Sequence, residues 1–171
     1  MWRAAGHDAP RFVALREALT ALAVAADARG EVTQIGLRLV GGHRELTEDL
    51  RCDDTQLLIP IGKVDASVWR DALADLFPRG GRPMVQAVRA AIDDVSDGSD
   101  GGRIVIVAAG DDTCHGDLDV LLSELGESHD EITVRVVGLS MKRETADSLT
   151  LVTRTRNVMT TSTLLPSLEW A

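Results

Sequence analysis

The sequence has 171 residues, the length of one α/β domain and too short for two. Its hydrophobic fraction of 44% supplies a real core, and because aromatic residues make up only 3%, that core must be aliphatic. The 27 acidic residues against 18 basic ones give a net charge of -9, which argues against nucleic acid or an anionic membrane surface as partner.

The first part of the chain predicts one helix followed by two strands. Apolar residues step by three and four over residues 12–26, which indicates a helix with an inner face made of Phe12, Leu15, Leu19, Leu22 and Ala26. Asp8-Ala9-Pro10 is the expected entry to this helix and Gly30 the expected stop. Residues 32–40 are rich in β-branched side chains and predict a strand. Residues 55–60 predict a shorter strand, whose terminal Pro60 suits an edge or a strand end.

The remainder alternates helices with strands. Asp65 is expected to cap one helix, and Pro83 to stand in the first turn of the next. The predicted helices cover residues 66–77, 84–95, 118–125 and 146–155, and the predicted strands cover residues 103–109, 132–139 and 157–161. Strand 103–109 is apolar on both faces, so we expect it to be central and the most buried element. The alternation predicts a parallel sheet with right-handed crossovers.

In parallel sheets the functional loops follow the carboxyl ends of the strands. Here that edge collects residues 41–43, 80–83 and 110–117. Their glycines form neither G-x-G-x-x-G nor G-x-x-x-x-G-K-[ST], and the chain contains neither G-x-S-x-G nor H-E-x-x-H. The sequence therefore predicts no enzyme of these classes.

Loop 110–117 nevertheless carries residues that bind metals elsewhere. Asp111, Asp112 and Asp117 could hold Mg²⁺ or Ca²⁺, although aspartate is also a common loop and helix-capping residue. A zinc set exists by number, though not by standard spacing, in Cys52, Cys114, His43 and His115. A Cys114 nucleophile with a histidine base is a further alternative, disfavoured because adjacent side chains rarely face each other. Histidines 7 and 129 are expected on the surface.

Several segments taken together resemble von Willebrand factor type A (VWA) domains, in a bacterial group similar to calcium-activated chloride channel subunits. The segments are residues 32–38, 52–60, 80–84, 104–114 and 136–139. The likeness extends over nearly the whole chain. It implies a three-layer α/β fold with one domain over residues 1–171, a mostly parallel sheet and one antiparallel edge strand at residues 55–60.

The same resemblance implies a degenerate metal-ion-dependent adhesion site (MIDAS). In the family this site uses a D-x-S-x-S loop, a threonine and an aspartate. The threonine position is Arg82 here and the aspartate position is Ala109, while the first strand and its D-x-S-x-S are absent. We therefore expect no metal cofactor, with weak Mg²⁺ or Ca²⁺ binding through Asp111, Asp112 and Asp117 as the alternative.

Absence of the family's first strand, which lies in the middle of its sheet, leaves two structural alternatives. The strand from Val32 and the strand from Ile104 pair directly, or a partner chain fills the gap, because unpaired buried strand edges are costly. The expected function is non-enzymatic binding of an unidentified protein, with a homo-oligomer left open and a truncated VWA gene product as a further alternative. The expected binding residues lie in the loops at the carboxyl edge: His43, Arg82, Asp111, Asp112 and His115.

Cys52 and Cys114 both fall on the carboxyl edge. If the two parent strands are neighbours, the loops approach the Cα separation of roughly 4.4 to 6.8 Å that a disulfide requires. The alternative is two unrelated thiols in a reducing cytoplasm. No apolar run is long enough for a membrane span and no signal-peptide core is present, so the default location is cytoplasmic. An extracytoplasmic location follows if the chain is part of a longer exported protein.

Overall fold

A computed structural model describes residues 11–30, 34–42, 52–76, 81–96, 101–128, 131–139, 142, 144–145, 147, 154–158, 166 and 168. Four helices and five strands are placed in this part: α1 (Arg11–Arg29), β1 (Gln34–Val40), β2 (Thr55–Lys63), α2 (Ala66–Ala74), α3 (Met84–Ser96), β3 (Gly102–Ala108), α4 (Leu118–Ser128), β4 (Ile132–Leu139) and β5 (Arg154–Val158). The α/β class predicted from the sequence is confirmed. No helix in the described ranges is long and apolar enough to cross a membrane.

Local signals in the sequence fix several element ends. Asp65 caps α2 as predicted, since its carboxylate accepts hydrogen bonds from the backbone N–H groups of Ser67 at 2.8 Å and Val68 at 3.3 Å. Helix α1 ends where Gly30 takes a φ of 61°, a left-handed conformation that glycine adopts without steric cost. The predicted entry at residues 8–10 lies outside the described residues, as do Phe77 and the histidines at 7, 43 and 129.

The strands form two sheets within the described residues. One contains β1 and β2, which run antiparallel, and the other is parallel in the order β3-β4-β5. The antiparallel strand predicted at Thr55 is confirmed. Direct pairing of β1 with β3, one of the two alternatives from the sequence, is not found in this part of the chain.

Strand β2 runs past Pro60, where the sequence predicted its end, and continues to Lys63. The register with β1 shifts here: Ile35 pairs with Gly62 and Leu37 pairs with Ile59, so two residues of β2 lie opposite Gly36 alone. A bulge of this kind accommodates Pro60. The regular hydrogen-bond ladder is already interrupted at a bulge, so the missing N–H of proline breaks no ladder bond there. The prediction was wrong because it treated proline as a terminator in a strand that carries a bulge.

The most buried strand is β4, so the expectation that the strand from Ile104 would be the most buried is wrong. Val136 and Val137, on opposite faces of β4, are both 0% exposed, whereas Val105 of β3 is 37% exposed. Position in the sheet explains the difference. Strand β4 has β3 on one side and β5 on the other, but β3 pairs only with β4 among the described strands.

Helix α1 buries its alanines more deeply than its leucines. Ala14 and Ala18 lie against Val137 and Leu139, and the leucines predicted as the inner face only flank this contact, half-buried. The predicted face is confirmed in part, since Ala26 is buried and Leu15, Leu19 and Leu22 pack against the core, but the prediction missed Ala14 and Ala18. Small side chains allow the helix backbone to approach the sheet closely, while the flanking leucines fill the sides.

Helices contact both faces of the parallel sheet. On one face α1 meets Val107 of β3 together with Val137 and Leu139 of β4. On the other face α3 and α4 pack on the alternate residues, including Ile104 and Ile132. This alternation follows from the two-residue period of a strand.

The C-terminal prediction was partly wrong. Strand β5 covers Arg154–Val158, where the sequence predicted a helix to residue 155 and a strand only from residue 157. Residues 144, 145 and 147 are helical, so a helix is present at the predicted start near residue 146 and already includes residue 144, while residues 148–153 lie outside the described residues. The run Thr153-Arg154-Thr155-Arg156 lacks an apolar repeat, and its parallel pairing with β4 decides its conformation instead.

Candidate functional site

The loop after β3 joins the segment before α3 at the carboxyl edge of the sheet. The backbone N–H of Arg82 donates to the Thr113 hydroxyl oxygen at 2.6 Å, and the Thr113 N–H donates back to the Arg82 carbonyl at 3.1 Å. The Arg82 side chain also donates, from Nε, to the Asp111 carbonyl at 3.0 Å. These two predicted loops therefore form one continuous surface.

Asp112 anchors this loop from inside. Its Oδ2 accepts from the backbone N–H of Val85 at 3.0 Å, at the start of α3. Its Oδ1 accepts from the N–H groups of Cys114 and Gly116 in its own loop. The carboxylate thus accepts hydrogen bonds from a helix N-terminus and from a turn at the same time. Asp112, predicted as a metal or protein ligand, therefore has a structural role.

The environment of Asp112 holds its pKa below the usual range. Partial burial is the largest single influence and raises the pKa, because it disfavours the charged form. Backbone hydrogen bonds from Val85, Cys114, Gly116 and Met84 act in the opposite direction and together outweigh burial. The folded surroundings of Asp112 therefore favour its charged form.

The other two aspartates have separate partners. Asp117 caps α4, because its Oδ1 accepts from the N–H groups of Asp119 and Val120, both at 3.1 Å. The exposed Asp111 accepts from the Thr145 hydroxyl at 2.7 Å. No group of three or more His, Cys, Asp or Glu side chains suited to a metal ion is found in the described part of the chain.

Cys52 and Cys114 form a disulfide with a Cα–Cα distance of 5.6 Å. The direct strand pairing expected to bring them together is not observed, and the loop beyond β3 reaches Cys52 instead. The zinc set and the Cys114 nucleophile both require a free thiolate. The bridged structure therefore contradicts both of these alternatives.

His115 stands between the bridged Cys114 and Gly116 in an uncommon backbone conformation. Its φ is 59°, in the left-handed region, and its side chain is exposed. Gly116 cannot readily be replaced, since an added Cβ would lie 2.6 Å from Val85 Cγ2. His115 and Asp111 on this loop, and Arg82 on the segment that contacts it, are all exposed.

Sequence reasoning missed the residues that hold this surface together. Thr113 and Thr145 supply the hydroxyl groups that bind Arg82 and Asp111, yet neither belongs to a recognisable motif. The role of Asp112 had no signal in the sequence either, because Val85 of α3, whose N–H it accepts, lies 27 residues away in the chain and meets it only in the fold. His43 remains an untested prediction because it lies outside the described residues.

Comparison with solved structures identifies the fold as that of VWA domains. No family model matches the chain, and no curated protein matches it either. The VWA domain of SpRpn10 superposes with a TM-score of 0.63 at 13% identity, covering 87% of this chain and 78% of that one. BatB from Bacteroides thetaiotaomicron gives 0.67 at 13% identity, covering 95% and 87%.

A von Willebrand factor type A protein from Catenulispora acidiphila gives a TM-score of 0.60 at 16% identity, covering 93% of this chain and 37% of that one. These identities are low, so the likeness concerns the fold. The VWA-like architecture expected from the sequence segments is thereby supported independently of the segments themselves.

Proposed function

We propose that this chain is a VWA-like protein-binding module that uses its carboxyl-edge loops, without a metal ion and without catalysis. The observation that carries the proposal is the fixed presentation of three exposed side chains, Arg82, Asp111 and His115, by a loop held at several points. His43 and Asp112 complete the predicted set, with Asp112 acting from beneath the surface.

Rigidity is what makes this surface suitable for recognition. The disulfide, the Asp112 carboxylate and the reciprocal Arg82–Thr113 hydrogen bonds each restrain the loop. A loop that is ordered before binding loses less conformational entropy when a partner docks. Exposed charged and imidazole groups then select the partner by complementarity.

The local chemistry supports a metal-independent mode. Arg82 stands at the position where the resemblance expects a ligand threonine. Its guanidinium lies near Gly110 and carries a fixed positive charge. Ala109 has no side-chain oxygen at the position of the ligand aspartate. A divalent ion needs several oxygen ligands together, and the aspartates nearby have structural partners.

We also propose that helices on both sheet faces make the domain three-layered.

A photocrosslinking experiment tests the proposed surface. Benzoylphenylalanine replaces His115 in one variant and exposed Asp71 on α2 in a control, each expressed in the native host with EDTA present during crosslinking. We expect one defined protein adduct from the His115 position and none from Asp71. An adduct that requires added Mg²⁺ or Ca²⁺ would favour the metal-regulated alternative, and equal adducts from both positions would contradict the proposed surface.

The disulfide also supports a proposal about the cellular compartment in which the chain functions. Structural disulfides persist in oxidising environments and are rare in the reducing cytoplasm. We therefore propose that the chain functions in an extracytoplasmic compartment, the alternative that the sequence left open, in place of the cytoplasmic default. Mass spectrometry of protein alkylated during lysis of the native host would show Cys52 and Cys114 bridged. Full alkylation of both thiols would contradict this location.

A further inference from the structure

Arg82 and Asp111 carry opposite charges and contact each other, but not through those charges. The Arg82 Nε donates to the backbone carbonyl of Asp111 at 3.0 Å, and the Asp111 carboxylate instead accepts from the Thr145 hydroxyl at 2.7 Å through Oδ1. Neither side chain forms an ion pair with the other or with any other residue that the structure describes. Arg82 and Asp111, two neighbouring charges that are held separately, are called the split pair below.

Arg82 is fixed along its length. Its backbone N–H donates to the Thr113 hydroxyl at 2.6 Å, and its carbonyl accepts from the N–H groups of Thr113 at 3.1 Å and Met84 at 2.9 Å. The guanidinium lies beside Gly110, where an added Cβ would be 3.9 Å from Nη2. Nη1 and Nη2 make no hydrogen bond within the described ranges. The end of the guanidinium that can bind a carboxylate through two hydrogen bonds is thus open to a ligand.

The acids around Arg82 leave its charge without a counterion. Asp112 and Asp117 accept from backbone N–H groups at the starts of α3 and α4. Asp111 has one carboxylate oxygen, Oδ2, that accepts no hydrogen bond from the described residues. Arg82 and Asp111 are both exposed. The split pair therefore presents one donor group and one acceptor group to the same solvent-facing surface.

Prior anchoring distinguishes the split pair from ordinary surface charges. An exposed ion pair usually contributes little to binding, because two long side chains lose conformational freedom when they meet. Here the protein side of that loss has occurred before a ligand arrives, since Arg82 is held by Thr113 and Asp111 by Thr145. Arg103, exposed at the amino end of β3, has no such anchor within the described residues.

We propose that the split pair binds a partner protein segment that presents an acidic and a basic side chain close together. The partner's carboxylate accepts hydrogen bonds from Arg82 Nη1 and Nη2, and its basic group donates to Asp111 Oδ2. The inference rests on the proposed protein-binding function and specifies the chemistry that the partner must display. In an extended segment, side chains two residues apart lie on the same side, so an acid-x-base spacing suits the site.

Ligands of a single sign fit the split pair less well. A phosphate group bound to Arg82 would bring about two negative charges toward Asp111. A divalent cation at Asp111 would lie beside the fixed charge of Arg82 and be repelled by it. A segment that carries both signs meets attraction at both residues, and a segment with the charges in the wrong places meets repulsion.

Nuclear magnetic resonance titration with blocked peptides tests the proposal on the unaltered protein. The probe is acetyl-Glu-Gly-Lys-amide, and the matched controls are acetyl-Gln-Gly-Lys-amide and acetyl-Glu-Gly-Gln-amide. The resonances of Arg82 Nε and of the Asp111 carboxylate should shift saturably with the probe, and each control should bind at least about fivefold more weakly. No saturable shift with the probe, equal binding of all three peptides, or tighter binding of inorganic phosphate would overturn the proposal.

Two protein variants should give a crossed pattern. R82Q should weaken probe binding at least about tenfold and remove the preference for Glu over Gln. D111N should remove the preference for Lys over Gln and keep the preference for Glu. R103Q is the control and should bind all three peptides as the parent chain does. Loss of both preferences in both variants would indicate a disturbed loop and would contradict separate recognition of the two charges.

The photocrosslinking experiment at His115 separates this inference from the proposed function. An adduct that R82Q leaves undiminished would overturn the split pair as the recognition element while the proposed binding surface stands. If the parent chain gives no adduct, the proposed function is contradicted, and the crossed peptide pattern still decides by itself whether the split pair recognises an acid and a base together.

Discussion

Arg38 on β1 and Asp94 on α3 are joined by two hydrogen bonds, from Nε to Oδ2 and from Nη2 to Oδ1, each 2.8 Å long. The two side chains are only 17% and 18% exposed. Arg38 also donates from Nη1 to the Thr55 hydroxyl at 3.3 Å, which extends the contact to β2. A bidentate, half-buried pair of this kind is much less screened than an ion pair on the surface.

Substituting D94N should lower the free energy of unfolding by about 1.5 to 3 kcal/mol, because the guanidinium loses its charged acceptor in a partly buried position. For a chain of this length each kcal/mol corresponds to about 2–4 °C in Tm. Thermal denaturation followed by circular dichroism measures the change. D93N, at the exposed neighbouring position, is the control and should leave Tm within about 1 °C. Equal Tm values for the two variants would contradict the role of this pair.

The second prediction concerns Asp112 and acid. Since its folded-state pKa lies below the ordinary value of 3.8, the carboxylate contributes stability that is present at neutral pH. That contribution is lost as the pH falls through 3.8 toward the lowered pKa. D112N should therefore destabilise the chain by about 1 kcal/mol at pH 7, as loss of a cap does, and by progressively less below pH 4.

Urea denaturation at several pH values between neutral and acid tests this dependence. The control is D71N, an exposed substitution on α2 that should keep the acid profile of the parent chain. A D112N profile parallel to the parent profile at every pH would show that the Asp112 charge does not matter to folding.

Removal of the disulfide should lower the free energy of unfolding by much more than D112N does. The bridge closes a loop with a sequence separation of 62 residues. In the chain-entropy model a loop of that length corresponds to about 4 kcal/mol. The double variant C52S/C114S and the reduced parent chain should both show this loss in urea denaturation. Denatured, unreduced protein purified under oxidising conditions should contain no titratable thiol, and two thiols would contradict the bridge.

Gly36 and Gly62 make a matched pair on the two strands of the antiparallel sheet. A Cβ added at Gly36 would lie 2.8 Å from Ile61 Cγ1 and 3.1 Å from the Ile59 carbonyl oxygen, whereas the nearest atom at Gly62 is 4.0 Å away. G36A should destabilise by about 1–3 kcal/mol through overpacking at the bulge. G62A should be neutral or slightly stabilising. The reverse order in Tm would contradict the observed register.

Metal ions should leave the chain unaffected. A ligand that binds only the folded state raises Tm, so Mg²⁺, Mn²⁺ or Ca²⁺ at millimolar concentration should give no shift beyond that of an ionic-strength control. The reason is the fixed positive charge of Arg82 beside Gly110 and the prior engagement of Asp112 and Asp117. A stoichiometric isotherm in calorimetry, abolished by EDTA, would contradict the metal-free proposal.

Local signals explain what could be predicted from the sequence. Asp65 as a cap, Gly30 as a helix stop and the uninterrupted strand Ile132–Leu139 depend on neighbours in the chain, and all three are observed. The prediction that the strand from Ile104 is the most buried was wrong because burial depends on which strands lie alongside. The periodicity of the sequence does not contain that information. Likewise Asp112 caps a helix that begins on a different segment, so its role emerged only with the fold.

The candidate site was predictable to a similar extent. Strand order placed Arg82 and loop 110–117 on one edge, as the structure has them. Their detailed contacts depend on Thr113 and Thr145, whose hydroxyl groups carry no pattern in the sequence. Such residues contribute through geometry that only tertiary packing creates.

Pro60 has a consequence for association in solution. It lies on β2, whose pairing within the described residues is to β1 alone, and the strand ends at Lys63. A proline cannot donate a backbone hydrogen bond. The bulge and the nearby Lys63 side chain also disrupt the flat, regular ladder that amyloid-like stacking requires. The outer edge of β2 is therefore a poor template for fibril growth, so copies of this chain should not polymerise through that edge.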